Sequence, residues 1–79
     1  MHTVYVLKSL KNGSYYKGMT TDLRRRINEH NTGKTSSNRA NKPFVLVFAQ
    51  EFETLDEAIK FEKFLKSGYG RELIKEIDS

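Results

Sequence analysis

The 79-residue sequence predicts an α+β fold: a small three-stranded antiparallel sheet with flanking helices, in the order β-β-α-β-α-α. Three observations point there. Two short segments rich in β-branched and aromatic residues flank Asn12-Gly13, a dipeptide favoured in hairpin turns. Two later segments space apolar residues three and four apart behind capping residues. A continuous apolar run, residues 44–52, follows Pro43.

The elements follow in order. TVYVLKS (3–9) reads as a strand, and SYYKGM (14–19) as its hairpin partner. With Asn12 and Gly13 as the two central turn residues, Leu10 pairs with Tyr15 and Ser9 with Tyr16. Side chains alternate along a strand, so Tyr5, Leu7 and Ser9 share a face with Tyr16 and Gly18. A loop one residue longer would reverse that parity. The first helix starts at Thr20 or Thr21, with Asp22 in its first turn, and stops near Asn31-Thr32-Gly33. A polar, basic loop follows, through Lys42. Residues 44–52, FVLVFAQEF, are apolar on both faces and predict a buried strand. Thr54 and Glu57 form a capping-box pattern for a second helix running to about Lys66. SGYG (67–70) breaks it, and GRELIKEI (70–77) predicts a short last helix packing Leu73, Ile74 and Ile77.

No repeat, low-complexity tract or linker divides the chain, so residues 1–79 read as one domain. Cysteine is absent, which removes disulfides and cysteine zinc sites. The N-terminus lacks a secretory pattern and no stretch is apolar enough to span a membrane, so the expectation is a soluble cytoplasmic domain. The charge is uneven. Residues 1–43 hold nine Lys/Arg and two Asp/Glu, whereas residues 44–79 hold five and eight. The basic half suits a phosphate-bearing polyanion; the plain alternative is a solvated surface.

Polar residues interrupt the helical stripes. On the first helix Leu23 and Ile27 define the apolar face, and Arg26 and His30 extend it at the same spacing. On the second, Glu62 falls within the stripe of Leu55, Ala58, Ile59 and Leu65. An unpaired charge there costs several kcal/mol, so each needs a partner, a metal or a wet cleft. One reading is an internal Glu62–Arg26 salt bridge joining two helices. The other is a polar cleft shared with the co-facing tyrosines. Gly18 either allows a backbone or phosphate to approach, or opens a turn at the strand end.

These residues, in this order, resemble the GIY-YIG nuclease domain family. That family includes homing endonucleases, some restriction enzymes and the N-terminal nuclease domain of a bacterial excision-repair protein. TVY (3–5) stands for the first signature triad, with Tyr5; YKG (16–18) stands for the second, with Tyr16 and Gly18. DLRRRINEHN resembles the family's helix segment and carries Arg26 and His30. EAIKFEKFLK resembles the segment bearing the metal-binding glutamate, Glu62. The first triad lacks its glycine, Lys17 replaces the isoleucine of the second, and no asparagine follows Asn41 for the family's late asparagine.

The resemblance implies a metal-dependent endonuclease, with DNA the favoured substrate, branched or single-stranded forms in view, and a role in DNA repair. It assigns catalysis to Tyr5, Tyr16, Arg26, His30 and Glu62, and one divalent metal, Mg²⁺ or Mn²⁺, to Glu62. Arg26 would pair with the scissile phosphate. Tyr5 would be the general base or would orient water. A phenol ionises in water only near pH about 10, so this role needs positive charge beside it. Tyr16 and His30 would position water or shuttle a proton, and His30 and Tyr5 could exchange roles. Phosphate contacts would come from Lys17, Gly18, Arg24, Arg25, Lys34, Arg39 and Lys42. The other readings are a non-catalytic nucleic-acid binder and a subunit recruited by a protein partner that supplies specificity; the oligomeric state stays open. A zinc hydrolase finds only His2 and His30. GKTSS fails as a phosphate-binding loop because Asn28 stands where its first glycine belongs. Tyr15, Tyr69 and the phenylalanines read as core or scattered aromatics.

Overall fold

A computed structural model describes residues 1–33 and 40–79. The elements are β1 (His2–Ser9), β2 (Tyr15–Thr20), α1 (Leu23–Asn31), β3 (Phe44–Phe52), α2 (Leu55–Leu65) and α3 (Gly68–Asp78). They form a three-stranded antiparallel sheet in spatial order β2-β1-β3, in an α+β arrangement.

β1 is the central strand, which explains a segment apolar on both faces. Val4, Val6 and Leu7 are completely buried. Full burial of each such side chain stabilises by about 1.5–3 kcal/mol. On one face Tyr5 and Leu7 pack with Phe44, Leu23 and Ile27, so α1 covers that side. On the other, Val4 and Val6 pack with Ala58 and Leu65 of α2 and Ile74 of α3. The sheet is therefore anchored at its centre, and β2 lies at an edge.

The hairpin differs from its predicted register by two residues. Lys8 faces Tyr15, Leu7 faces Tyr16 and Tyr5 faces Gly18. Ser9 N–H donates to the Ser14 carbonyl at 2.9 Å, so Leu10–Gly13 form a four-residue loop, with Gly13 at φ 76°. The Ser9 hydroxyl draws the chain into this longer loop: it accepts from the Lys11 and Asn12 amides at 3.1 and 3.2 Å. A shift of two preserves alternation, so Tyr5, Tyr16 and Gly18 still share a face.

Three further expectations are corrected. β3 is an edge strand rather than a buried one: Val45 and Leu46 are 40% and 44% exposed. Its register slips opposite Val6 and Leu7, an irregularity that lets the strand turn Phe44 to one face and Phe48 to the other. α1 is capped by Asp22, which accepts from the Arg25 amide, and not by a threonine. Thr20 instead accepts from the Asp22 amide and shapes the entry. α3 begins at Gly68 behind the Ser67 cap, so SGYG interrupts the two helices for less than its own length. Ile74 is buried there, but Ile77 is 40% exposed. Thr54 caps α2 as predicted, its hydroxyl accepting from the Glu57 amide at 3.2 Å, but the Glu57 carboxylate accepts from that hydroxyl at 2.9 Å rather than from the Thr54 backbone N–H of a full capping box.

The C-terminal helix is tied to the hairpin by charge. Asp78 accepts from Lys8 Nζ at 2.8 Å and from the Tyr15 hydroxyl at 2.5 Å. Hydrogen bonds from Lys8 first, then Tyr15, hold the Asp78 carboxyl below its usual range, while Asp78 raises both Lys8 and Tyr15. The acid's contribution to stability is present above its unfolded value and lost as pH falls through the lower folded value. Those of Lys8 and Tyr15 are present below their unfolded values and lost as pH rises through the raised folded ones. Asp78→Asn is therefore expected to flatten the acid limb of stability below pH about 4. Urea midpoints measured across pH check this; an unchanged acid limb refutes it.

Candidate active site

α1 covers one face of the sheet and α2 and α3 the other, and β2 is a free edge between them. Tyr16 and Gly18 point to the α1 face, and Lys17 and Met19 to the α2–α3 face. A cleft of about 390 Å³ opens across this edge, walled by both sets together with Tyr5, Arg26, His30 and Glu62. Side chains from β1, β2, α1 and α2 thus come together although 57 positions separate Tyr5 from Glu62.

The Tyr5 hydroxyl is the hub. Arg26 Nε donates to it at 3.4 Å, and His30 Nε2 lies 3.3 Å away, the imidazole tautomer deciding which atom donates. Arg26 and His30 reach the same atom because they sit four apart on one helical face. The hydrogen bond to Tyr5 is the main influence holding the Arg26 guanidinium above its already high value, so it stays charged. His30 is buried, its ring edge-on to Tyr5 and Phe44 at centroid distances of 6.1 and 5.7 Å. Phe44 also meets Tyr16 edge-on at 5.1 Å, which closes an aromatic wall behind the polar atoms.

Gly18 has a definite steric duty. It lies mid-strand opposite Tyr5, and a Cβ there would come within 2.6 Å of Tyr5 Cζ. The close approach considered from the sequence is therefore made by the Tyr5 ring. Gly18→Ala is expected to push the hydroxyl off Arg26 and His30. The Tyr5 ring resonances of the variant check this; wild-type shifts would refute it.

The carboxylates are not placed as one reading supposed. Glu62 pairs with Lys66 at 3.4 Å, and Arg26 pairs with Glu29 at 3.3 Å, so no Glu62–Arg26 bridge joins the helices. Glu62 remains sheltered, its side chain 22% exposed. Among the described residues that line the cleft, it is the only acid.

Of the phosphate-binding candidates, Lys17 and Gly18 line the cleft. Arg25 lines an adjoining hollow that shares Met19 and Arg26 with it. Arg24 lies farther out, in a hollow with Asp22, Arg25 and Asn28. Lys42 is exposed and lines none of these. Lys34 and Arg39 fall outside the described residues. Tyr69 is 85% exposed, whereas Tyr15 is half-buried against the core.

The contacts of two asparagines escaped the sequence reading. Asn41 donates through Nδ2 to the Tyr16 hydroxyl and accepts from Asn12 Nδ2 at 3.1 Å, fastening that phenol to the hairpin loop. Asn31 clamps the Phe44 backbone, accepting from its N–H at 2.6 Å and donating to its carbonyl at 3.1 Å. Both lie in or beside polar loop sequence, where no periodicity marks a residue as placed.

Fold and sequence together place the chain among catalytic domains. Residues 1–75 match the family model for the GIY-YIG catalytic domain, and the chain belongs to that family. Similar chains include a UPF0213 protein of Streptococcus pneumoniae serotype 4 (strain ATCC BAA-334 / TIGR4), 47% identical over 64 residues, covering 80% of this chain and 64% of that one. UPF0213 protein YazA of Bacillus subtilis (strain 168) is 39% identical over 66 residues, covering 82% and 66%. The solution NMR structure of the UPF0213 protein BH0048 from Bacillus halodurans matches with TM-score 0.58 at 38% identity, over 96% of this chain and 83% of that one. The chain spans just under two thirds, 64%, of the length of the streptococcal relative. Catalytic domains of that family are nuclease-type and generally use a divalent metal. Among the described residues, no helix is long and apolar enough to cross a membrane.

Proposed function

We propose that the chain is a metal-dependent endonuclease that hydrolyses a nucleic-acid phosphodiester, DNA being the favoured substrate. The observation that carries this reading is the convergence of Tyr5, Tyr16, Arg26, His30 and Glu62 on one cleft, with Tyr5 linked to both Arg26 and His30. Phosphodiester hydrolysis needs a positioned water, a fixed positive charge for the phosphate oxygens and a route for the water's proton.

Arg26 holds the non-bridging oxygens, its guanidinium oriented by Tyr5 on one side and Glu29 on the other. Tyr5 holds the attacking water and takes its proton as the phenol's own proton passes to His30 Nε2. Tyr16, secured by Asn41, orients the water or the phosphate. Water's oxygen bonds to phosphorus as the bond to the 3′ oxygen breaks.

Glu62 fits a hard divalent cation. The carboxylate already attracts a cationic partner, Lys66 at 3.4 Å, and offers oxygen donors in a half-sheltered, wettable cleft. A single carboxylate would hold such an ion with waters completing its shell. Such a metal, Mg²⁺ or Mn²⁺, would supply Lewis-acid stabilisation of charge on the phosphate and the leaving oxygen.

The test is a panel of single-stranded, duplex and branched DNA and RNA, with Mg²⁺, Mn²⁺ or EDTA. Nicking that requires metal is the expected result. Binding without cleavage under every condition would leave a non-catalytic binder; no binding at all would point to a subunit that a protein partner recruits.

A further inference from the structure

The basic surface does not stop at the cleft. Lys17 also lines a second hollow of about 430 Å³, shared with Tyr15 and with Arg71, Glu72 and Lys75 of α3. The two hollows meet at this lysine because β2 alternates: Gly18 opens to the α1 face and Lys17 to the α3 face of the same free edge.

The charges around this junction are gathered against their own repulsion. Burial first, then the positive charges of Arg71 and Lys66, hold the Lys17 ammonium below its ordinary lysine value. Lys66 is answered by Glu62, and Lys75 by Glu72 at 3.8 Å. Among the described residues, neither Lys17 nor Arg71 makes an ion pair. Glu72 also lines the hollow but pairs with Lys75, so Lys17 and Arg71 repel at some cost to the fold, and an anion seated between them reverses the sign of that term.

We propose that Lys17 and Arg71 form a phosphate subsite beyond the cleft, so that a bound nucleic-acid strand runs from Arg26 across the β2 edge and onto α3. This rests on the cleft being a nuclease site, and it extends the site to a helix in the net-acidic half of the chain. The continuity through Lys17 favours a strand over an isolated phosphate ion, since one side chain walls both hollows.

The test is binding of a labelled single-stranded oligonucleotide to the full chain in EDTA, from low to moderate NaCl. Each lost phosphate contact on a single strand lowers the slope of log K against log salt by about 0.7. The double variant Lys17→Gln/Arg71→Gln is expected to lose about 1.4 of slope, and each single variant about half that. Lys60→Gln, which removes an exposed α2 lysine paired with Asp56, is the charge-matched control and should change neither slope nor affinity. Lys17→Gln should also melt no lower than wild type, since it relieves repulsion.

Equal effects in all the variants would overturn the subsite in favour of diffuse net charge. Wild-type slopes in the Lys17 and Arg71 variants, in a protein that binds and cleaves, would overturn the subsite and leave the nuclease reading standing. Inorganic phosphate that shifts the Lys17 side-chain NMR signal, in a chain that binds no oligonucleotide, would reassign the hollow to a free anion and overturn the strand path. A wild-type chain that neither binds nor cleaves nucleic acid would end both readings.

Discussion

Glu62→Gln is expected to abolish metal-dependent cleavage while leaving the fold in place. The substitution keeps shape and a hydrogen-bond acceptor but removes the charge that would hold a divalent ion. Losing several kcal/mol of stabilisation at the phosphate corresponds to at least about 10³-fold in rate. Little stability is at stake. The Glu62–Lys66 pair is an i,i+4 pair whose lysine is 58% exposed, and such pairs contribute about 0.3–0.5 kcal/mol. The variant should therefore melt close to wild type and still bind oligonucleotide in EDTA. Titration with Mn²⁺, read by electron paramagnetic resonance, should show the loss of metal binding independently of turnover. Cleavage within tenfold of wild type would refute the role of Glu62. Normal Mn²⁺ binding in an inactive variant would move the metal elsewhere.

Arg26 is expected to give the second large effect, and the form of the loss is informative. On the proposed mechanism Arg26→Ala removes the cation that faces developing phosphate charge, a loss of about 10²–10³-fold or more in turnover. Arg26→Lys keeps the charge but forfeits the fork that reaches Tyr5 and Glu29 together, so it should recover only part of that loss. Because the charge matters most as the transition state forms, kcat should fall more than KM rises. Arg26 stays ionised throughout the working range, so the pH profile of the lysine variant should keep the wild-type limbs. A pure rise in KM would make Arg26 a binding group alone. Stability should change by less than about 1 kcal/mol, since the Arg26–Glu29 pair is half-exposed.

Most of the architecture was legible because it depends on local rules. Alternation placed Tyr5 and Tyr16 on one face even though the turn was misplaced by two residues, since an even slip returns every side chain to its own side. Helical spacing likewise put Arg26 and His30 together and found Glu62 inside a stripe. The errors arose where long-range pairing decides. FVLVFAQEF is apolar on both faces, but its place in the sheet depends on which strand takes the middle, and β1 takes it.

The partners of the charged groups were also hidden. Glu62 met Lys66 and Arg26 met Glu29, both on their own helices, because a short-range pair forms without bringing two elements into contact. Asn41 gave no signal beforehand, since its partner is 25 residues away and its surroundings are polar loop.

The sequence by itself determined the elements, their order, the shared face of the two tyrosines and the short list of chemically able side chains. These follow from the periods of strand and helix, which one stretch of chain carries within itself. The tertiary structure alone decided that the list meets at the free edge of β2, that Gly18 makes room for Tyr5, and that Arg71 of the net-acidic half stands beside Lys17. Those facts depend on which faces the helices cover, and that is settled by packing between residues far apart in the chain.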